Sequence, residues 1–366
     1  MKKSLWIHAL FLVIILSGCT STETTARTEY DLESAVALNL SILVTDDLQI
    51  RRSTLFSGEM TKLTLNMINL AEVYFNDLRA ILINADDLNP VAEYDYVEFI
   101  QPNRSNAFEW ELTAPRLGVG EVLILNDIRA RVYYETYSTA LKTLLLRPPG
   151  NREYFITYSE SSKSPIKLYF DTSYDSATTL PDNQLKNFTV NLVLYNEFVG
   201  IVDYYDNSYY SDNYIKSLVL AVPKELIFYN YADEFSPWKK FESNDSLEAE
   251  RLNINPALLE LYDYYYVEFK KIDAYSSQYD FEDLCSILLM TEQEIQNRNI
   301  DELRNIITQQ RRVLWMTKGF TKINVLRFGA PTMEYDTEVN LMARIDYSYS
   351  QDFGGSGFGA VIYGLG

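Results

Sequence analysis

Ala130-Arg131-Val132-Tyr133-Tyr134-Glu135-Thr136-Tyr137-Ser138 and Ala343-Arg344-Ile345-Asp346-Tyr347-Ser348-Tyr349-Ser350 are two versions of one pattern. Each starts with Ala-Arg and runs on through β-branched and tyrosine residues at a period of two, the signature of a strand with one buried face. Each also follows an Ala-Pro: Arg131 lies sixteen residues after Pro115 of Ala114-Pro115, and Arg344 thirteen after Pro331 of Ala330-Pro331. Further echoes occur in the same order. Leu63-Thr64-Leu65-Asn66-Met67-Ile68-Asn69 matches Phe188-Thr189-Val190-Asn191-Leu192-Val193-Leu194-Tyr195-Asn196, and Glu93-Tyr94-Asp95-Tyr96-Val97-Glu98-Phe99 matches Tyr264-Tyr265-Tyr266-Val267-Glu268-Phe269. A repeat of this length predicts two copies of one unit, at residues 30–148 and 163–366, joined by a linker at 149–162.

Strand signals dominate up to about residue 232. Residues 38–44, 61–68, 78–83 and 107–112 cluster or alternate β-formers and are separated by Asp-Asp, Asn-Pro and Pro-Asn turns. Short strands at regular spacing predict a β-sandwich in each copy. The second copy is longer because of an insertion at 233–318. There Phe281, Leu284, Leu288 and Ile295 recur at helical spacing. Asn299, with Glu302 three residues on, makes a capping-box-like start for Ile300, Leu303, Ile306 and Ile307, so the insertion reads as a helical hairpin. Cys285 falls among its apolar positions and reads as a buried, inert thiol.

The order of an Asn-ended strand, Ala-Pro, and then a long Ala-Arg-hydrophobic-Tyr strand resembles the immunoglobulin-like modules of the cell-adhesion-related (CARDB) type, which recur in tandem on archaeal-type surface lipoproteins. The resemblance covers most of the chain. It departs from the family pattern at Asn69-Leu70-Ala71, where a Gly often follows the Asn, whereas Asn196 is followed by Gly200. It implies a mainly β fold of two tandem immunoglobulin-like sandwiches, the second carrying the helical hairpin, and a role in binding, spacing or assembly.

The amino terminus addresses location. Lys2 and Lys3, an apolar run over 5–16, and Leu16-Ser17-Gly18-Cys19 form a lipoprotein signal, with a run too short to span a bilayer. Residues 1–18 are the expected signal peptide and Cys19 the lipidated residue, its acyl chains holding the protein to the extracytoplasmic face of the cell membrane. Residues 19–29, rich in Thr, read as a tether.

Composition removes several classes of function. Without Lys2 and Lys3 the chain has 30 basic against 51 acidic side chains, a charge of −21 that repels nucleic acid. The one histidine, His8, sits in the signal, and Cys285 is the one cysteine besides Cys19. No Ser-His-Asp or Cys-His site and no Cys/His metal cluster can form, and no cofactor is expected. Glycosidase chemistry needs two carboxylates alone, so composition leaves it open.

Four candidate features remain. Asp203, Asp206 and Asp212 lie in a tyrosine-rich loop with oxygen ligands for Ca2+, but without the Gly and Glu of an EF-hand; a solvated acidic loop is the competing reading. Asn103 and Asn244 are sequons in polar loops and the better glycosylation candidates, because the sequons at Asn39 and Asn187 fall in expected strands. Arg304, Arg311 and Arg312, with Lys318 and Lys322, make the second helix of the hairpin locally basic, a face suited to an acidic partner or the phospholipid surface. The 29 tyrosines suit strand faces, interfaces or sugar stacking. The expectation is a non-enzymatic envelope binding and assembly module whose partners are the membrane, through Cys19, and other envelope proteins or glycans. The alternative is a carbohydrate-binding or carbohydrate-active surface lipoprotein. Assembly predicts a flat apolar patch or an open sheet edge; sugar binding predicts exposed tyrosines beside carboxylates in a groove.

Overall fold

The computed structural model describes residues 36–43, 54–92, 94–126, 128–150, 158–172, 176–181, 184–196, 200–202, 215–231, 238–242, 246–268, 297–299, 302, 320–354 and 359–365. All of them belong to the unit formed by Ala35–Gly366. The fold is mainly β. Its first half contains β1 (Val36–Leu43), β2 (Thr54–Phe56), β3 (Met60–Asn69), β4 (Phe75–Ile83), β5 (Tyr94–Ile100), β6 (Ser105–Thr113), β7 (Val122–Leu125) and β8 (Arg129–Arg147). The second half continues with β9 (Ser159–Ser161), β10 (Ile166–Asp171), β11 (Ser176–Thr178), β12 (Lys186–Asn196), β13 (Ile201–Val202), β14 (Ile215–Pro223) and β15 (Ile227–Phe228). Then come β16 (Lys239–Lys240), helix α1 (Ser246–Arg251), β17 (Tyr262–Glu268), β18 (Phe320–Ala330), β19 (Thr337–Gly354) and β20 (Ala360–Tyr363).

The two halves repeat one strand order. A sheet β1-β3-β6 in the first matches β10-β12-β18, extended by β15, in the second. Facing these is one shared sheet with the path β16-β17-β14-β19-β8-β4-β5, in which β8-β4-β5 of the first half corresponds to β19-β14-β17 of the second. The sequence echoes fall on corresponding strands: β3 with β12, β5 with β17, and β8 with β19, and the two Ala-Pro steps lie at the ends of β6 and β18. Counted back from Asn69 and Asn196, Leu63 and Val190 correspond, and they face Trp110 and Leu326, each four residues before the Ala of its Ala-Pro.

The halves are joined by the two echoing strands. β8 and β19 pair antiparallel along their length, from Thr337 opposite Leu146 to Gly354 opposite Arg129. Along β8 the even positions from Ala130 to Ala140 are buried and the odd ones half-exposed, as a period of two requires. Along β19, Val339, Leu341, Ala343, Ile345, Tyr347 and Tyr349 face inward, so one core runs through both halves. Outward, the echoing arginines are ion-paired: Arg131 Nη2 donates to Asp352 Oδ2 across the ladder at 2.9 Å, and Arg344 Nη2 to Asp346 Oδ1 at 2.8 Å.

Two departures from an independent-copies arrangement follow. The expected linker contains β9, which pairs with β8. And β20 leaves the second half to lie between β2, which it parallels, and β7, both strands of the first half. Within 233–318, β17 is a sheet strand and the counterpart of β5, while α1 and a 3-10 turn at Pro256–Leu258 cover the outer face of β14 and β17. That cover has its own small core of Val219, Ala221, Phe241, Leu252, Ile254 and Tyr264. At the expected start of the second helix, Asn299 Oδ1 accepts the Glu302 backbone N–H at 2.8 Å, the capping contact that the spacing predicts. The remainder of the hairpin, with Cys285, lies outside the described residues.

Candidate functional site

Two surfaces have the character of a binding site. The first is the outer face of the three-stranded sheet β2-β20-β7. Its register sets Phe56, Tyr363 and Val122 in one row and Thr54, Val361 and Ile124 in the next, all pointing away from the core. The alternate row, Leu55, Ile362 and Leu123, points inward, with Leu55 and Ile362 fully buried. Among the described residues these six outward positions include no charged side chain, and Ile124 is 59% exposed, Val122 51%, Tyr363 43% and Phe56 41%. Exposed Val119, Leu365 and Met60 border it. A monomeric surface normally scatters such residues singly, and a contiguous apolar sheet face marks an interaction surface. The patch lies beside Met60 at one end of β3, whereas the chain enters β1 at Val36, opposite Asn69 at the other.

The second surface is a groove of about 590 Å3 on the outer face of the shared sheet, where the α1 cover stops short of β8. Tyr137, Arg344, Met342 and Tyr264 line it together with Glu72 and Glu160. The Arg344 guanidinium lies 3.9 Å from the centre of the Tyr137 ring, a cation-π contact that occupies one face of it. Tyr264 is only 6% exposed, and burial raises its pKa above the usual phenol value. Glu72 Oε2 accepts the Lys163 N–H at 3.1 Å, which ties that carboxylate to the strand connection.

The β6 edge is covered. Beyond β6, Val91 N donates to Glu111 O at 3.0 Å, and Asp95 Oδ2 accepts the Glu109 N–H at 2.8 Å. An inward-turned carboxylate on an edge strand is a standard guard against edge-to-edge pairing.

Of the residues singled out from the sequence, Asn103 stands exposed in a turn with φ of 58° and donates its backbone N–H to Asn69 O at 2.7 Å, leaving its side chain pointing outward. Asn187 lies in β12 and accepts the Tyr229 hydroxyl at 3.1 Å. Asn39 lies in β1. Lys322 is in β18 opposite Val193, so the basic run does not extend to it as a helical face. Cys19, Asn244, the acidic loop of Asp203, Asp206 and Asp212, and Arg304, Arg311 and Arg312 lie outside the described residues. Among the described residues no group of acidic, cysteine or histidine side chains could hold a metal, and no helix is long and apolar enough to cross a membrane. The apolar face escaped sequence reading because strands such as Val122–Leu125 are apolar on both faces and look like core strands.

No protein-family model and no curated protein matches the chain.

Proposed function

We propose that this protein is a lipid-anchored, extracytoplasmic and non-enzymatic assembly module of the cell envelope, with two immunoglobulin-like halves. The observation that carries the reading is the uncharged outer face of β2-β20-β7, the flat apolar patch that an assembly role requires. The strand order supports the immunoglobulin-like description: β1-β3-β6 against β8-β4-β5 is the arrangement of such a sandwich without its last strand. Its vacant place beside β8 is taken by β19, and the place beside β19 by β8. Anchoring rests on Leu16-Ser17-Gly18-Cys19.

The groove favours the carbohydrate reading through its two carboxylates, yet it offers little open ring. Arg344 covers one face of Tyr137, and Tyr264 is nearly buried. Sugar stacking needs an exposed aromatic face, so assembly is the better account.

The test uses the full chain in its own membrane. Val122→Asp with Ile124→Asp should leave the melting temperature within a few degrees, because both side chains are already exposed, but should reduce the size of the detergent-solubilised assembly in light scattering. An assembly of unchanged size would overturn the reading. Cys19→Ser should move the protein from the membrane to the soluble fraction; retention after a high-salt wash would remove lipidation as the anchor.

A further inference from the structure

The slot that holds β20 is selective. Ala360 and Ile362 are buried within it, Ser57 N donates to Tyr363 O at 2.9 Å, and Gly364 N donates to Glu121 O at 2.8 Å. At its two ends the backbone passes so close that side chains are excluded. A Cβ on Gly359 would stand 2.0 Å from Leu125 O, and one on Gly364 would stand 1.9 Å from Gly118 O. An occupant must therefore have glycine at two positions five apart, flanking a short apolar strand. This chain's own Gly359-Ala360-Val361-Ile362-Tyr363-Gly364 meets that demand, and an arbitrary foreign strand does not.

Every strand that β20 pairs with belongs to the first half, while the chain delivers it from β19 of the second. The delivering sequence is Gly354-Gly355-Ser356-Gly357-Phe358-Gly359, which reaches at most about 18 Å from the end of β19. We infer that β20 exchanges between two copies, so that the C-terminal strand of one fills the β2-β7 slot of the other. The inference deepens the assembly reading and rests on it, naming a second copy of this chain as the partner. Within one copy the short connection keeps β20 at an effective concentration of roughly millimolar, so exchange is favoured where copies are crowded, as on a membrane surface.

The experiment uses inward-facing register partners, because only an inserted strand brings them together. Leu123 lies opposite Ile362. In a full-length chain freed of its own thiols by Cys19→Ser and Cys285→Ala, one preparation carries Leu123→Cys and another carries Ile362→Cys. Mixed, crowded on vesicles by an N-terminal affinity tag, and oxidised, they should yield a covalent heterodimer whose share rises with surface density. A chain carrying both substitutions controls for folding, since in dilute solution it should close an internal disulfide. The proposal is overturned if the double variant closes internally while the mixed chains never cross-link. An assembly that still depends on Val122 and Ile124 would then leave the wider reading standing with a different partner.

Discussion

At the end of β3, Asn69 is fully buried and donates to Val73 O at 2.8 Å and to Ile100 O at 3.1 Å, while its Oδ1 accepts the Ala71 N–H at 2.9 Å. At the end of β12, Asn196 is equally buried and donates to Gly200 O at 2.9 Å, but its Oδ1 accepts the Tyr349 hydroxyl at 3.0 Å. Both asparagines bridge to the carbonyl four residues on and so fix the step into the next strand. They differ in what fills the space beside that step. Asn76 faces Glu135 and Val202 faces Tyr349, so, counting from the two asparagines, Thr136 holds the place of Tyr349 and Val73 the place of Gly200. The first half has a large residue on the turn and a small one on the strand; the second half reverses them. A Cβ on Gly200 would lie 2.3 Å from Ser350 O and 2.4 Å from the Tyr349 ring. Gly200 is therefore required by the Ser350 carbonyl and the Tyr349 ring together, whereas the first half has Thr136 beside Val73. The two junctions thus pair one larger and one smaller residue, with the larger on the turn in the first half and on the strand in the second.

The largest expected effect breaks that exchange. Gly200→Val should destabilise by more than about 3 kcal/mol in chemical denaturation, because the obstruction is partly backbone. Adding Tyr349→Thr, which recreates the first-half combination, should recover a substantial part of the loss, a coupling of about 1–3 kcal/mol. Additive losses in the double variant would mean that the two positions do not share one space.

Next in size are the asparagines. Asn69→Ala strands buried carbonyls of Val73 and Ile100, and should cost about 2–4 kcal/mol. Its partners are all backbone groups, so no second side-chain change can soften the loss. Asn196→Ala should cost a similar amount, but combining it with Tyr349→Phe should give less than the sum, because each removes one end of the same bond. Full additivity would dissolve the distinction between the halves.

Local strands and the repeat were legible in the sequence; the way the copies combine was not. The runs at 61–68, 78–83 and 107–112 fall inside β3, β4 and β6, and the echoes fall on matching strands, because a half-buried strand writes its period into a few consecutive residues. The pairing of Arg131 with Asp352, or of Ser138 with Ile345, joins residues some two hundred positions apart, and no local pattern specifies it. The β2-β20-β7 sheet was hidden for a second reason. Val122–Leu125 and Ala360–Tyr363 are too short for periodicity, and being apolar on both faces they give no sign that one face meets water. The groove was equally hidden, since it exists only where the α1 cover ends above Tyr137 and Arg344.

A smaller effect concerns Tyr347, whose hydroxyl accepts the Ile166 N–H at 2.9 Å and the Ser138 hydroxyl at 3.1 Å in the buried junction of β8, β10 and β19. Tyr347→Phe leaves a buried backbone donor without its acceptor and should cost about 1–3 kcal/mol at neutral pH.

The smallest effect sets Tyr134 of the first half against Tyr349 of the second. Both are buried, with ring centres 5.7 Å apart, and burial raises both pKa values well above the usual phenol value. Tyr349 has Asn196 as partner, whereas the Tyr134 hydroxyl has none. At pH 7 Tyr349→Phe should therefore cost about 1–2 kcal/mol, while Tyr134→Phe should be neutral or slightly stabilising, because it deletes an unsatisfied buried hydroxyl and retains the ring packed 4.4 Å, centre to centre, from Phe75. Alkaline pH brings out what the neutral measurement hides. Each buried phenol has a folded-state pKa above its unfolded value near 10, so its stabilising contribution is complete below that pH and is lost as pH rises beyond it, where the unfolded chain releases the proton and the folded chain does not. Stability should fall steeply above about pH 10, and removing one such phenol should lessen the slope by up to about 1.4 kcal/mol per pH unit. Tyr134→Phe should thus match the parent at pH 7 and exceed it at pH 11 in urea denaturation. Equal loss of stability in variant and parent across that range would show that Tyr134 ionises within the folded protein, and that its hydroxyl is not sealed in the core.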